Sequence, residues 1–130
     1  MISKRKIGSI QDKRVKEQTG WRIEVNSGAT DGRKGDLKAE ELLIETKSPE
    51  VKQKSFKLYE AWFDKIRAQA FSMGKRLGII VFTFNQMDQY AALPLQDFDN
   101  LHRSNIEYQH EILRLQSEIN SLKQQLEEKR

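Results

Sequence analysis

Apolar positions along the chain follow two regimes, divided at about Phe98 to Leu101. Before that point, runs of period two are interleaved with one long run of helical period, which predicts a mixed α/β domain. Ile7 to Thr19 reads as a short helix closed by Gly20, with a thin apolar stripe of Ile7, Ile10 and Val15. Trp21, Ile23 and Val25 alternate with Arg22, Glu24 and Asn26, the pattern of a half-buried strand. Gly28, Gly32 and Gly35 make Ser27 to Gly35 a polar loop. Asp36 to Ala39 and Leu42 to Lys47 form two short strands around a turn at Lys38 to Glu41, and Ser48 to Lys54 is a basic loop. Leu58, Trp62, Ile66, Ala70 and Met73 recur at helical spacing and predict a long amphipathic helix ending at Gly74. Ile79 to Phe84 is apolar, β-branched and aromatic, as in a central strand, and Tyr90 to Leu93 closes the sheet before Pro94. Trp21 and Trp62 are assigned to the core rather than to a partner, because so small a domain uses its large side chains internally.

The second regime is a heptad repeat. With position a at Asn105, Ile112, Ile119 and Leu126, position d falls on Tyr108, Leu115 and Leu122, and neither proline nor glycine interrupts. Ile at a with Leu at d favours a parallel two-stranded coiled coil, and an asparagine at a helps fix its register. Glu118 at g can meet Lys123 at e of a partner helix. The bland alternative is one amphipathic helix folded back on the domain, but the narrow seam points to an intermolecular partner. The expected organisation is a domain over residues 1–98 and a dimerisation helix over 99–130.

Candidate chemistry sits on the Leu42 strand. Glu45 and Lys47 are two apart and share a face just beyond Leu42-Leu43-Ile44, and pairing with the Asp36 strand brings a second carboxylate within reach. Two carboxylates and an ammonium converging on one point suit a hard cation such as Mg²⁺, which takes oxygen ligands, and a lysine able to orient a nucleophile. Asp-x₈-Glu-x-Lys alone arises often by chance, and isolated it would be a surface ion pair.

The flanking segments reverse those odds. Asp12-Lys13-Arg14, Gly20-Trp21, Ser27-Gly28-Ala29, Gly35-Asp36, Leu43-Ile44-Glu45-Thr46-Lys47, Ser55-Phe56-Lys57 and the Gly78 to Phe84 strand occur in this order over roughly residues 10 to 95. This set resembles the PD-(D/E)XK nuclease superfamily, and within it the small resolvases of archaea and bacteriophages that cut four-way DNA junctions. The resemblance implies a restriction-endonuclease-like mixed β-sheet flanked by helices. It also implies Mg²⁺- or Mn²⁺-dependent cleavage of DNA, with Asp36, Glu45 and Lys47 catalytic. Asp36, Glu45 and the Thr46 carbonyl would hold the metal. Relatives usually add a first-helix glutamate; here the best-matching position is Asp12, one methylene shorter, with Gln11 and Glu17 nearby. Ser27 and Ser55, with Lys57, fall where related nucleases place polar groups near the scissile phosphate, although Ser55 could equally cap the Leu58 helix.

Charge supports a polyanionic partner without naming one. The net charge is +4. Residues 1–76 hold 18 Lys or Arg against 11 Asp or Glu, whereas residues 102–130 hold five of each. The excess therefore surrounds the candidate site, where it would draw in DNA. Arg33 and Lys34 before Asp36, and Lys52, Lys54 and Lys57 after the Glu-x-Lys strand, are the candidate phosphate contacts, which position a substrate without reading its sequence. His102 and His110 lie far from the carboxylates on the C-terminal helix, and no Walker-type phosphate loop appears. The chain has no cysteine, so disulfides and thiolate chemistry are excluded. No apolar run approaches the roughly 18 residues of a membrane span and no apolar segment follows the basic N-terminus, so a cytoplasmic location (the host cytoplasm, if phage-encoded) is expected. Homodimerisation would supply the two sites that a junction with two equivalent strands needs. The remaining alternatives are a nuclease of flaps, nicks or duplex DNA, and a non-catalytic DNA-binding scaffold acting through its coiled coil.

Overall fold

The computed structural model describes residues 4–23 and 36–130, and side chains from Ile7 onward. In chain order the elements are α1 (Lys4–Thr19), β1 (Arg22–Ile23), β2 (Leu37–Lys38), β3 (Leu42–Lys47), α2 (Glu60–Ser72), β4 (Leu77–Thr83), β5 (Gln89–Ala92) and α3 (Leu95–Glu128). The expected mixed α/β architecture is present as one five-stranded sheet in sequential order. β3 and β4 run parallel with α2 as their crossover, and every other neighbouring pair is antiparallel. The chain falls into two compact units, residues 1–93 and 94–130. The expected boundary at 98/99 thus lies inside the first turns of α3.

Strand periodicity sorts the side chains of the sheet onto two faces. On one face Leu43 of β3 and Ile80 of β4 pack with Ile66 and Ala70 of α2, bordered by Trp62, Phe63 and Met73. Contact is closest at Gly78, where a Cβ would lie 2.5 Å from the Ile66 carbonyl oxygen, so only glycine lets α2 settle on β4 here. On the other face Thr46 meets α1, whose Ile7, Gln11 and Val15 are buried. Gly20, at φ +80°, closes α1 in the left-handed region, its N–H donating to the Lys16 carbonyl over 2.7 Å. Gly74, at φ +68°, closes α2.

Three local expectations are corrected. The central helix starts at Glu60, not near Leu58, and its N-cap is Tyr59 in extended conformation with no side-chain cap. Ser55 is therefore not a helix cap. Phe56 stacks on Phe82 with centroids 5.7 Å apart and touches Trp62, and this aromatic anchoring keeps residues 55–59 out of the helix. Ile23, expected to face inward, is 37% exposed on the edge strand β1; Glu24 to Asn26 lie outside the described residues. Trp62, half-buried, packs against the core as expected, and Trp21 is also half-buried.

Candidate active site

Three elements bring carboxylates to the end of β3. The β2–β3 ladder pairs Leu37 with Ile44, and the Asp36 N–H donates to the Ile44 carbonyl. Among the described residues, the next N–H of β3 on that side, that of Thr46, meets no backbone carbonyl. Asp36 supplies the acceptor instead, its Oδ2 lying 2.8 Å from the Thr46 nitrogen. The carboxylate thus takes over the ladder where the strand stops, which fixes its position.

The Thr46 hydroxyl then ties Asp36 to α1. Its Oγ1 is 3.0 Å from Asp36 Oδ2 and 2.5 Å from Asp12 Oδ1. One hydroxyl carries one proton and cannot donate to both acids. The shorter hydroxyl bond goes to Asp12, and Asp36 keeps the Thr46 N–H as its donor. Burial pushes the Asp12 carboxyl up to about 6 against the opposing pull of its Thr46 bond, and the Asp36 charge adds to the rise. Of the three first-helix residues considered in sequence, Asp12 is the one that meets Thr46; Glu17 is exposed and Gln11 is buried in another role.

Glu45 and Lys47 emerge on the opposite face of β3, as their spacing predicts. Lys47 Nζ lies 3.6 Å from Glu45 Oε1 and 4.5 Å from the centre of the Trp62 ring. The indole face and the carboxylate together hold the ammonium in place. Burial raises the Glu45 carboxyl to about 6, with the Asp36 charge adding, while Lys47 and Lys65 pull it down. Asp36 is thus electrostatically coupled to both Asp12 and Glu45, although these sit on different faces of the strand.

Gln11, which the sequence reading passed over as a site residue, locks this corner. Its Nε2, with two hydrogens to share, lies 2.9 Å from the Lys47 carbonyl, 3.3 Å from the Val81 carbonyl and 3.1 Å from Gln89 Oε1, joining α1 to β3, β4 and β5. The signal was a polar residue midway between Ile7 and Val15 on the buried stripe, four residues from each. Such a position demands a specific partner, since an unpaired buried amide is costly.

The proposed phosphate contacts divide into two groups. Lys52, Lys54, Ser55 and Lys57 are exposed on the segment between β3 and α2, which Gln53 ties to the end of β4 through the Phe84 carbonyl. Lys57 Nζ lies 5.2 Å from the Tyr59 ring centre. Ser27, Arg33 and Lys34 lie outside the described residues.

In donor chemistry the cluster fits a hard divalent cation. It offers carboxylate and carbonyl oxygens, and two of its acids carry raised pKa values that an added positive charge would reverse. Among the described residues no three His, Cys, Asp or Glu side chains form a ready-made cage. Magnesium does not require one, since it is commonly held by one or two carboxylates and retained waters. No protein-family model, curated protein or solved structure matches the chain.

Proposed function

We propose that the protein is a metal-dependent endodeoxyribonuclease that hydrolyses phosphodiesters in branched DNA, with four-way junctions as its preferred substrate. The observation that carries this reading is the junction of Asp12, Asp36 and Thr46 at the end of the strand that also presents Glu45 and Lys47. The sheet, with its parallel β3–β4 pair and helices α1 and α2, is compatible with a restriction-endonuclease-like fold.

Asp36, Glu45 and the Thr46 carbonyl would hold Mg²⁺ or Mn²⁺, with Asp12 as a further ligand. The cation supplies positive charge beside the scissile phosphate and makes nearby water more acidic. Asp36 is held by the Thr46 N–H, so its carboxylate is placed before any substrate arrives. Lys47 orients the attacking water or a phosphate oxygen, restrained by Glu45 and the Trp62 ring. Lys52, Lys54, Ser55 and Lys57 would lie along the DNA backbone, together with Ser27, Arg33 and Lys34.

The test is cleavage of an immobile four-way junction beside linear duplex and flap controls, in Mg²⁺ and in EDTA. Cutting should favour the junction and vanish in EDTA, in Glu45→Gln and in Lys47→Ala. Equal cutting of all three substrates would keep the nuclease and remove the junction preference. Tight DNA binding without hydrolysis in Mg²⁺ or Mn²⁺ would overturn the enzyme in favour of a scaffold.

A further inference from the structure

α3 runs for 34 residues without burying one of them. From Asn105 onward every residue is exposed, and most helical stability in proteins comes from packing an amphipathic face. Its apolar residues nevertheless form a face. Ile112, Leu115, Ile119, Leu122 and Leu126 are 43–66% exposed and alternate by three and four. We propose that this face is covered by the same face of a second copy of the chain, in parallel and in register.

Charge selects the second copy and its direction. In the parallel arrangement each g residue approaches the e residue five positions on in its partner. That pairs Glu118 with Lys123 of the second copy, Glu111 with Gln116 and Gln125 with Arg130, with no like charges opposed among these flanking pairs. Asn105 then meets its own copy in the seam, where two amides can bond each other. Reversing one helix matches Ile112 with Leu122 and Leu115 with Ile119, which is equally apolar. That arrangement, however, sets Glu118 against its own copy across the two-fold axis and separates Asn105 from its own copy. On each helix Arg114 bonds both Glu111 and Glu118 along one flank.

Parallel pairing has a geometric consequence. Only Leu93 and Pro94 separate β5 from α3, so both copies enter the rod from the same end. An antiparallel rod in that register would hold those entry points apart by about 65 Å, at ~1.5 Å per residue. The inference goes beyond the nuclease reading and does not depend on it: a protein that cuts nothing would leave it standing.

The absence of cysteine gives a clean test on the full chain. Light scattering at tens of micromolar should give twice the 15.2 kDa chain mass. The double variant Leu115→Asp, Leu122→Asp should weaken the dimer by on the order of a hundredfold or more, since charges would be buried in the seam. The thermal unfolding of residues 1–93, followed by Trp21 and Trp62, should stay unchanged, which separates loss of pairing from loss of folding. Oxidised Leu122→Cys should cross-link to itself, because parallel pairing places position 122 opposite its own copy. A monomer, a trimer or tetramer, or a dimer that survives the double variant would each overturn the proposal. So would cross-linking seen only when Ile112→Cys is mixed with Leu122→Cys, the antiparallel signature.

Discussion

At the scale of single residues, the site is a problem of protons. Asp12 and Glu45 carry folded-state pKa values of about 6, against 3.8 and 4.5 for the unperturbed groups, and burial is the larger cause in each. A raised carboxylate pKa contributes stability that is fully present below the unfolded value and is lost as pH rises through the folded one. The metal-free protein should therefore unfold at a higher temperature near pH 5 than near pH 7.5. The two groups together are worth a few kcal/mol, at about 1.4 kcal/mol per pKa unit. Asp12→Asn removes one ionisation and should flatten the profile by roughly half. A cation that binds the ionised acids reverses the sign: added Mg²⁺ or Mn²⁺ should raise the unfolding temperature more at pH 7.5 than at pH 5. Thermal melts across pH, with and without metal, read all of this. A flat metal-free profile would show that the acids are not desolvated as the geometry requires.

Among elements, legibility followed the strength of the periodic signal. β3 begins and ends where its apolar run and Glu-x-Lys tail place it, because a strand buried on both faces leaves few ways to read Leu42–Lys47. β4 was equally plain, shifted by one residue. The start of α2 was not, since Leu58 keeps perfect helical spacing with Trp62 while belonging to an extended segment. What overrides the spacing is a non-local contact, Phe56 on Phe82 across the sheet, which no local pattern contains. Gln11 was missed for the opposite reason: its position in the stripe was visible, but its partners on β3, β4 and β5 lie 36 to 78 residues away. The α2–β4 contact provides a sharp test. In Gly78→Ala the new methyl meets the Ile66 carbonyl carbon at 2.7 Å and its oxygen at 2.5 Å, both backbone atoms that cannot rotate aside. Moving α2 off β4 should cost about 1–3 kcal/mol, as overpacking typically does. Chemical denaturation would measure this; a variant as stable as the parent would mean that helix and strand are not so closely seated.

For the whole molecule, the proposed nuclease and the proposed seam combine into one prediction, which concerns how many strands are cut per encounter. A lone site nicks one strand and must dissociate or reorient to reach the other. Two sites joined through a parallel seam share one residence on the junction, so the second cut becomes effectively intramolecular. A cruciform extruded from a supercoiled plasmid separates the cases, because both cuts made before release give linear DNA, whereas a single nick relaxes the plasmid and reabsorbs the cruciform. The parent protein should give mostly linear product. The Leu115→Asp, Leu122→Asp variant retains Asp36, Glu45 and Lys47 and should still hydrolyse, but its product should shift to nicked circles. Raising its concentration should not restore linear product unless the chains pair again. Linear product from a demonstrated monomer would mean that paired cutting arises from residues 1–93 alone, with α3 serving another purpose. Nicked circles from an intact dimer would mean that the seam joins two copies without bringing both sites to one junction.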